Sequence, residues 1–549
     1  MKLPDRSNLD HLKKQAKDLI RLYRSRDRDA IARFRRSLPV ATDRSDDEIA
    51  ALDLRLHDAQ SCVAREYDFA SWADLRRYVE VQSAFRNDRA ARVRHWLSLV
   101  YSSDVDGRGI DRARPRVAAR MLVENPDIAS GDPYLACAIG NEDALRAATT
   151  SDPAWVNRSG GPLRLPPLAA VTHSSLCRVP EFHERLHRCA RFLLSSGADP
   201  NQKFGLRWPP ASVNAPDDNH PLSALYGAAG RNHDLELTKI LLEAGADPND
   251  GESLYHSLER FVCTRVLLEH GARVAGSNAF YHALDFDNLA ALELLLQYGA
   301  DPNEPAQSPA TAEWGSPLLW AIKRRRSPRH VATLLKAGAD PSASTRSGVS
   351  AYGLALQLGL VEVAALLRDH DGARPITEED EFVAACARGD EAAAERLRRR
   401  RPDLPGSLGE TRLRLLPDLA SEGGDEGVRL MVELGWPIAA RGGDWNATAL
   451  NLAVFRGNAQ FTRFLLEHGA SWQEEHGYGD NVSGTLSWAS CNEPVAGGDW
   501  VGCANALLEH GMPRATPDPE DPDRVLIAGR RKRFSDEVTD VLLKGAGAA

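Results

Sequence analysis

The string HERLH at residues 183–187 is the clearest candidate for chemistry in this sequence. If the string is helical, His183 and His187 lie one turn apart, where two imidazoles can bind zinc while the glutamate between them activates a water. Such a site needs a third protein ligand, and no downstream Glu or His stands at the usual spacing, where Leu193 is found instead. We therefore expect a solvated helix start with no metal, no cofactor and no catalytic residue. A zinc-dependent hydrolase is the alternative.

Three basic runs, at residues 323–326, 398–401 and 530–533, are the candidates for nucleic-acid binding. Such a surface needs interleaved aromatic residues and alignment on one face. The first run falls in a turn between two predicted helices, and the second ends a helix, where cations complement the helix dipole. Glycine pairs at 442–443 and 497–498 are too isolated to form a phosphate-binding loop. We expect the chain to bind neither nucleic acid nor nucleotide.

The composition is that of a folded protein outside the membrane. Of the 549 residues, 43% are hydrophobic and 26% are charged, close to the average for globular proteins. No run approaches the roughly 18 consecutive apolar residues that a membrane helix requires, so we expect no membrane span. The eight cysteines are scattered without a CxxC pair, which argues against a disulfide framework and a zinc ribbon. We expect a reduced, cytoplasmic protein.

Charge is unevenly distributed along the chain. The net charge is 68 − 77 = −9, whereas residues 1–40 carry twelve Lys and Arg against five Asp, or +7. An acidic chain is not typical of nucleic-acid-binding proteins as a whole. The basic N-terminal segment leaves open a further alternative, in which it tethers the chain to nucleic acid or to an acidic surface.

One phrase recurs from about residue 190 onward: two or three aliphatic residues, two polar residues, Gly-Ala, and often Asp-Pro-Asn. It reads LLSSGADPN at 193–201 and LLQYGADPN at 295–303. The phrase is typical of a helix end, with inward leucines, a glycine in the left-handed position and a proline where the helix cannot continue. The predicted repeat glycines are Gly197, Gly245, Gly271, Gly299, Gly338, Gly469, Gly511 and Gly545.

A short first helix precedes the helix that ends in this phrase. In the clearest copy, Thr448 begins one helix, a turn follows at Gly457-Asn458, and a second helix ends at Gly469. Other copies begin likewise with an N-cap residue followed by apolar residues at helical spacing. Each unit of sequence therefore predicts a helical hairpin.

This pattern resembles the ankyrin repeat, whose signature contains T-P-L-H-x-A-A and, later, L-L-x-x-G-A-D. The resemblance covers roughly residues 130–549, is strongest at 278–303 and 446–472, and is eroded near 202–260 and 371–425. It implies about ten to twelve modules. The predicted fold is an all-α, ankyrin-type helical-hairpin solenoid over residues 86–549, preceded by a small basic α-helical unit over residues 1–85. The stretch 59–80 resembles a segment that commonly precedes ankyrin arrays in bacterial proteins.

The resemblance implies a protein-binding scaffold with a groove and inter-repeat finger loops, and without catalysis. Aromatic side chains in the predicted fingers favour binding, because they supply large contact area at little entropic cost. Each could instead fold back onto its own loop. We expect a monomer that binds an unidentified protein partner. The predicted binding residues are Trp208, Trp314, Trp445, Trp472 and Tyr478.

Overall fold

The computed structural model describes the chain except for residues 1–8, 43, 53, 68, 70, 71, 73, 74, 77, 80–87, 108–112, 306–314, 347, 496, 520–523 and 544–549. The chain divides into two compact units, one formed by Val81–Asp340 and the other by Met1–Glu80 together with Pro341–Ala549. We call them the central unit and the terminal unit. The predicted boundary at residues 85/86, Trp314 and Gly545 lie outside the described residues.

The central unit consists of helical hairpins in which successive second helices pack against each other. A one-turn π-helical segment, Gly227–Asn232, continues the helix Ala224–Tyr226. Short 3₁₀ helices lie at Pro153–Asn157 and Ser175–Arg178. The α-helices are Arg89–Val100, Ser103–Asp106, Pro115–Glu124, Pro133–Ile139, Glu142–Ser151, Pro167–Thr172, Pro180–Ser195, Ala224–Tyr226, Leu235–Glu243, Ser253–Ser257, Thr264–Glu269, Ala279–Ala283, Leu289–Gln297, Pro317–Lys323 and Pro328–Lys336.

The terminal unit joins the N-terminal helices to a second series of hairpins. A 3₁₀ turn, Pro39–Ala41, follows the second helix. The α-helices are Leu9–Arg24, Arg28–Ser37, Asp46–Ala50, Leu56–Glu66, Ala351–Gln357, Val361–Asp369, Glu378–Ala387, Glu391–Arg400, Glu410–Leu413, Leu415–Ser421, Asp425–Glu433, Ala449–Phe455, Ala459–Glu467, Val482–Asn492, Trp500–Glu509 and Asp536–Leu543.

Local sequence explains where these helices begin and end. The side chains of Thr448 and Asn458 accept hydrogen bonds from backbone amides in the first turns of their helices, which satisfies donors that lack a partner within the helix. At the other end, the seven described repeat glycines have φ between +86° and +97°. A Cβ built on Gly299 or Gly469 would meet nothing within 4 Å, so backbone conformation rather than space selects glycine there.

The core of each unit is built from the aliphatic faces of the hairpins. Leu295, Leu334 and Leu465 are fully buried, as the repeat pattern predicts for the second helix. Trp320, in the first helix Pro317–Lys323, is also buried, and so is Trp72 in the N-terminal segment. Removing such side chains from water is the main stabilising contribution to stacked modules, because no module buries its apolar face alone.

Asparagine side chains connect consecutive modules in the central unit. The Asn201 amide donates to the carbonyl oxygen of Gly245 at 2.9 Å and accepts from the N–H of Asp247 at 2.7 Å. Asn249 makes the same pair of bonds to Gly271 (3.1 Å) and Arg273 (2.9 Å). Equivalent pairs begin at Asn157 and Asn303. We call these four residues the asparagine ladder.

Among the described residues, three small antiparallel sheets interrupt the helices, so the prediction of a purely α-helical chain is wrong at these places. The insertion at 202–220 contributes a hairpin because it is long enough to pair with itself, with Phe204 opposite Leu222. Arg441 pairs with Thr448 in a second hairpin. The strands are Phe204–Leu206, Asp217–Leu222, Arg441–Gly442, Ala447–Thr448, Thr516–Pro517, Val525–Ile527 and Arg530–Lys532.

The N-terminal helices pack on each other and on the C-terminal end of the same unit. The Tyr23 hydroxyl lies within 2.7 Å of the carbonyl oxygens of Ile49 and Leu52. The helix Leu56–Glu66 contacts Asp536–Leu543. Arg65 forms an ion pair with Glu493 at 2.6 Å, and Arg33 forms one with Glu66 at 2.6 Å, so part of the basic charge of residues 1–40 is matched within the unit.

Candidate functional site

Aromatic rings from neighbouring modules of the terminal unit form a continuous cluster. Two come from first helices and three from the inter-module loops, which we call fingers. The cluster, which we call the aromatic surface, consists of Trp445, Phe455, His476, Tyr478 and Trp488.

Each ring of the aromatic surface contacts the next. Phe455 ends its helix and stacks on Trp488 of the next first helix, with centroids 5.5 Å apart and planes 9° apart. Trp445 lies 5.6 Å from Phe455 and 5.1 Å from His476. His476 contacts Tyr478 edge-on at 5.9 Å. Offset stacking and edge-to-face contacts are the arrangements that aromatic quadrupoles favour.

The aromatic surface has a buried base and an exposed rim. His476 is buried, and Trp445 and Phe455 are half-buried. In contrast, Tyr478 is 81% exposed and Trp488 is 53% exposed. Large aromatic groups standing in solvent on a packed aromatic base are the arrangement found at the centres of binding interfaces.

Hydrogen bonds hold the finger that carries His476 and Tyr478. The Gly477 N–H donates to the carbonyl oxygen of Trp445 at 2.8 Å, which joins this finger to the preceding one. Beneath it, fully buried Asn451 donates to the carbonyl oxygen of Glu474 at 3.2 Å and accepts from the hydroxyl of Thr485 at 2.6 Å. The rings therefore project from a backbone that is fixed from below.

Charges surround the aromatic surface without a single dominant sign. Asp480 pairs with Lys532 and, at 3.5 Å, with Arg530. Burial raises the pKa of Asp480, but the hydrogen bond from Lys532 and nearby positive charges outweigh it, so the pKa lies below its ordinary value. Burial lowers the pKa of His476, and the opposing charge of Asp480 does not restore it. The imidazole of His476 is therefore uncharged near neutral pH, and it packs as a neutral ring in the buried layer of the aromatic surface.

The structure gathers only some of the binding residues predicted from the sequence. Trp445 and Tyr478 belong to the aromatic surface, and Trp472 is half-buried in the same finger as Tyr478. Trp208 is 47% exposed, but it belongs to the central unit, in the insertion between its two strands. Trp314 is outside the described part of the chain.

Sequence reasoning missed Phe455, His476 and Trp488. A signal for Trp488 was present, because the buried residues of its helix follow a stripe through Val482, Leu486 and Ala489 that Trp488 does not share. A tryptophan off the apolar stripe of a helix faces solvent. His476 and Phe455 offer no comparable signal, since each is placed by contact with a neighbouring module.

The HERLH string is helical, and the structure supplies the third donor that its sequence spacing lacks. Asp234, from the next module, places Oδ2 2.8 Å from Nε2 of His187 and 3.2 Å from Nε2 of His183. Among the described residues, these three form a group whose ligand atoms lie within 4.8 Å of one another. The premise of a missing third ligand is therefore wrong, because only the fold brings residues 47 positions apart together.

The basic runs are engaged in ion pairs. Arg324 contacts Asp285 at 2.9 Å and lies over the ring of Trp320. Arg401 contacts Asp403 at 2.7 Å, and Arg530 contacts Asp480. Within the described ranges, no helix is both long and apolar enough to cross a membrane.

Comparison with known proteins identifies the repeats. Residues 214–306 match the family model for ankyrin repeats in three copies, which confirms the repeat type predicted from the recurring phrase. The match includes much of the stretch 202–260, where the phrase itself is eroded. The ankyrin repeat domain of human ASB11, known from a crystal structure, is 19% identical, with a TM-score of 0.32, over 45% of this chain and 100% of that chain. No curated protein matches the chain.

Proposed function

We propose that this chain is a non-catalytic scaffold that binds a protein partner, and that the aromatic surface is its docking site. Ankyrin repeats generally mediate protein–protein interaction. The observation that carries the assignment is the exposure of Tyr478 and Trp488 on a base of packed rings. The occupant is a polypeptide segment that presents apolar side chains, because the stacked rings offer apolar faces with paired charges only at the edge.

The geometry favours binding over catalysis at this surface. Asp480, beside the rings, pairs with Lys532 and with Arg530, and these ion pairs stabilise the finger. His476 is buried under Trp445 and Tyr478 rather than presented to solvent. Such groups stabilise the shape of the surface.

The test is affinity for a partner recovered with the immobilised full-length chain from its native source. We expect Trp488→Ala and Tyr478→Ala each to weaken binding about 30-fold, or about 2 kcal/mol, because truncating an exposed aromatic anchor removes its whole contact. Tyr298→Ala is the matched control, since Tyr298 is an exposed aromatic residue of the central unit. Circular dichroism of each variant checks that the fold is retained.

The variants that lose affinity for the partner show where the docking site lies. Retained binding in both Trp488→Ala and Tyr478→Ala would contradict the assignment. A loss confined to Trp208→Ala would move the docking site to the insertion of the central unit. Equal losses in the Tyr298→Ala control would show that the assay reports folding rather than contact.

A further inference from the structure

Two histidines and one aspartate of the central unit converge on a point between consecutive modules. His183 and His187 lie one turn apart on the helix Pro180–Ser195, and their ring centroids are 4.2 Å apart. Asp234 precedes the helix Leu235–Glu243 in the next module. Both Nε2 atoms lie close to the same oxygen, Oδ2 of Asp234, and His187 forms a hydrogen bond with it.

The fold fixes this carboxylate in place. Its second oxygen, Oδ1, accepts the backbone N–H of Leu237 at 3.0 Å and so caps the helix. Asp234 thus has one oxygen occupied by the helix cap and the other within 3.2 Å of both imidazoles.

The distances match those around a tetrahedral metal ion. Zinc binds imidazole nitrogen and carboxylate oxygen at about 2.0–2.2 Å, so two ligand atoms in a tetrahedral site lie about 3.3 Å apart. The separations from Asp234 Oδ2 are 3.2 Å to His183 and 2.8 Å to His187. For an ion to bind, the 2.8 Å separation between His187 and Asp234 must widen by about 0.5 Å.

Burial is graded across the three donors. The side chains of His187 and Asp234 are 1% and 6% exposed, whereas that of His183 is 49% exposed. The cluster is therefore buried around His187 and Asp234 and open to solvent at His183. An ion could enter from that side and keep water in its fourth position, as three-ligand zinc sites do.

We propose that His183, His187 and Asp234 bind one divalent transition-metal ion, of which zinc is the representative, and that this ion links two consecutive modules. Two imidazoles and a carboxylate suit zinc, cobalt and related ions better than magnesium or calcium, which prefer oxygen ligands. The role is structural: the Glu184 carboxylate, which would activate water in a hydrolase, is exposed and lies 3.8 Å from Arg191.

The experiment titrates the untagged, chelator-treated full-length protein with Co²⁺ and with Zn²⁺. We expect one equivalent of metal per chain, visible as the absorption of four-coordinate cobalt and measurable by calorimetry for zinc. Metal should also slow hydrogen exchange in the helices Pro180–Ser195 and Leu235–Glu243, because the ion joins them.

Two variants remove ligands without threatening the fold. His183→Ala removes the exposed donor, and Asp234→Asn keeps an oxygen that caps the helix while losing the charge. Each should weaken metal binding about 100-fold or more. His220→Ala is the control, because exposed His220 pairs with Asp217 in the strand Asp217–Leu222 of the same unit.

The metal titration distinguishes a metal site from a cluster in which the histidines only form hydrogen bonds to the helix-capping Asp234. Failure of the parent protein to bind a stoichiometric ion overturns the proposal, and so does unchanged binding in both ligand variants. In either case the two histidines serve only as hydrogen-bond partners of the helix cap. The outcome is independent of partner binding at the aromatic surface.

Discussion

Modules are joined differently in the central and terminal units. In the central unit, exposed Asn201 and Asn249 each donate to a glycine carbonyl of the next module and accept from an N–H two residues later. In the terminal unit, the residue four positions after Gly469 is Gln473. Prolines stand two positions after Gly435 and Gly511, where no N–H is available to donate.

The terminal unit ties its finger from below instead. Asn451 lies on a first helix, is fully buried, and connects the finger carbonyl of Glu474 to Thr485 of the next module. In the central unit, the asparagine ladder occupies the edge of each finger with hydrogen bonds to the backbone of the next module. Anchoring from below leaves the edge of this finger to an aromatic side chain, and Tyr478 is exposed there.

The largest effect on this comparison is expected from Asn451→Ala. The variant leaves the buried hydroxyl of Thr485 and the carbonyl of Glu474 without their amide partner, which costs about 3 kcal/mol for two unsatisfied groups and a small cavity. Native-state hydrogen exchange in the helix Val482–Asn492 measures this loss locally. Gln473→Ala, an exposed change in the same finger, serves as the control and should leave exchange unchanged. Equal exchange in parent and Asn451→Ala would show that the finger is held by other contacts.

A smaller effect is expected from Asn249→Ala in the central unit. The two lost hydrogen bonds are exposed, so water replaces them and the cost is about 1 kcal/mol. Because each module contacts only its neighbours, faster exchange should be confined to the modules joined by Asn249. Asn249→Asp keeps the acceptor for the Arg273 N–H and should lose less stability than Asn249→Ala. Faster exchange throughout the central unit would contradict the one-dimensional coupling of modules.

The part of the fold that could be predicted is the part that depends on sequence signals within a single module. The hairpins follow from N-caps such as Thr448, helix-ending glycines such as Gly469 and the spacing of leucines, all of which act within one module. Trp445 and Tyr478 could be assigned to fingers because fingers can be located from the repeat alone.

Contacts between modules could not be predicted in the same way. Asp234 meets His187, and Phe455 meets Trp488, only when the rotation between one hairpin and the next is known. Insertions of varying length between modules also change the number of residues that separate the two members of such a pair. The spacing of residues along the chain therefore carries no information about these pairs, even though each pair is local in space.

The smallest effect is expected from variants that introduce an asparagine of the ladder type into the terminal unit. Gln473→Asn alone can gain only the bond to the Gly511 carbonyl, because Pro513 has no N–H, so the gain should be under about 0.5 kcal/mol. Pro513→Asp alone should lose about 0.5 kcal/mol through greater freedom of the unfolded chain. The double variant restores both partners, and we expect a favourable coupling energy of about 0.5 kcal/mol from the double-mutant cycle, measured by hydrogen exchange in the helix Trp500–Glu509. A coupling of zero would mean that the separation of modules, rather than the residue at the finger, excludes the ladder. The exposed aromatic finger would then follow from the stacking geometry of the terminal unit.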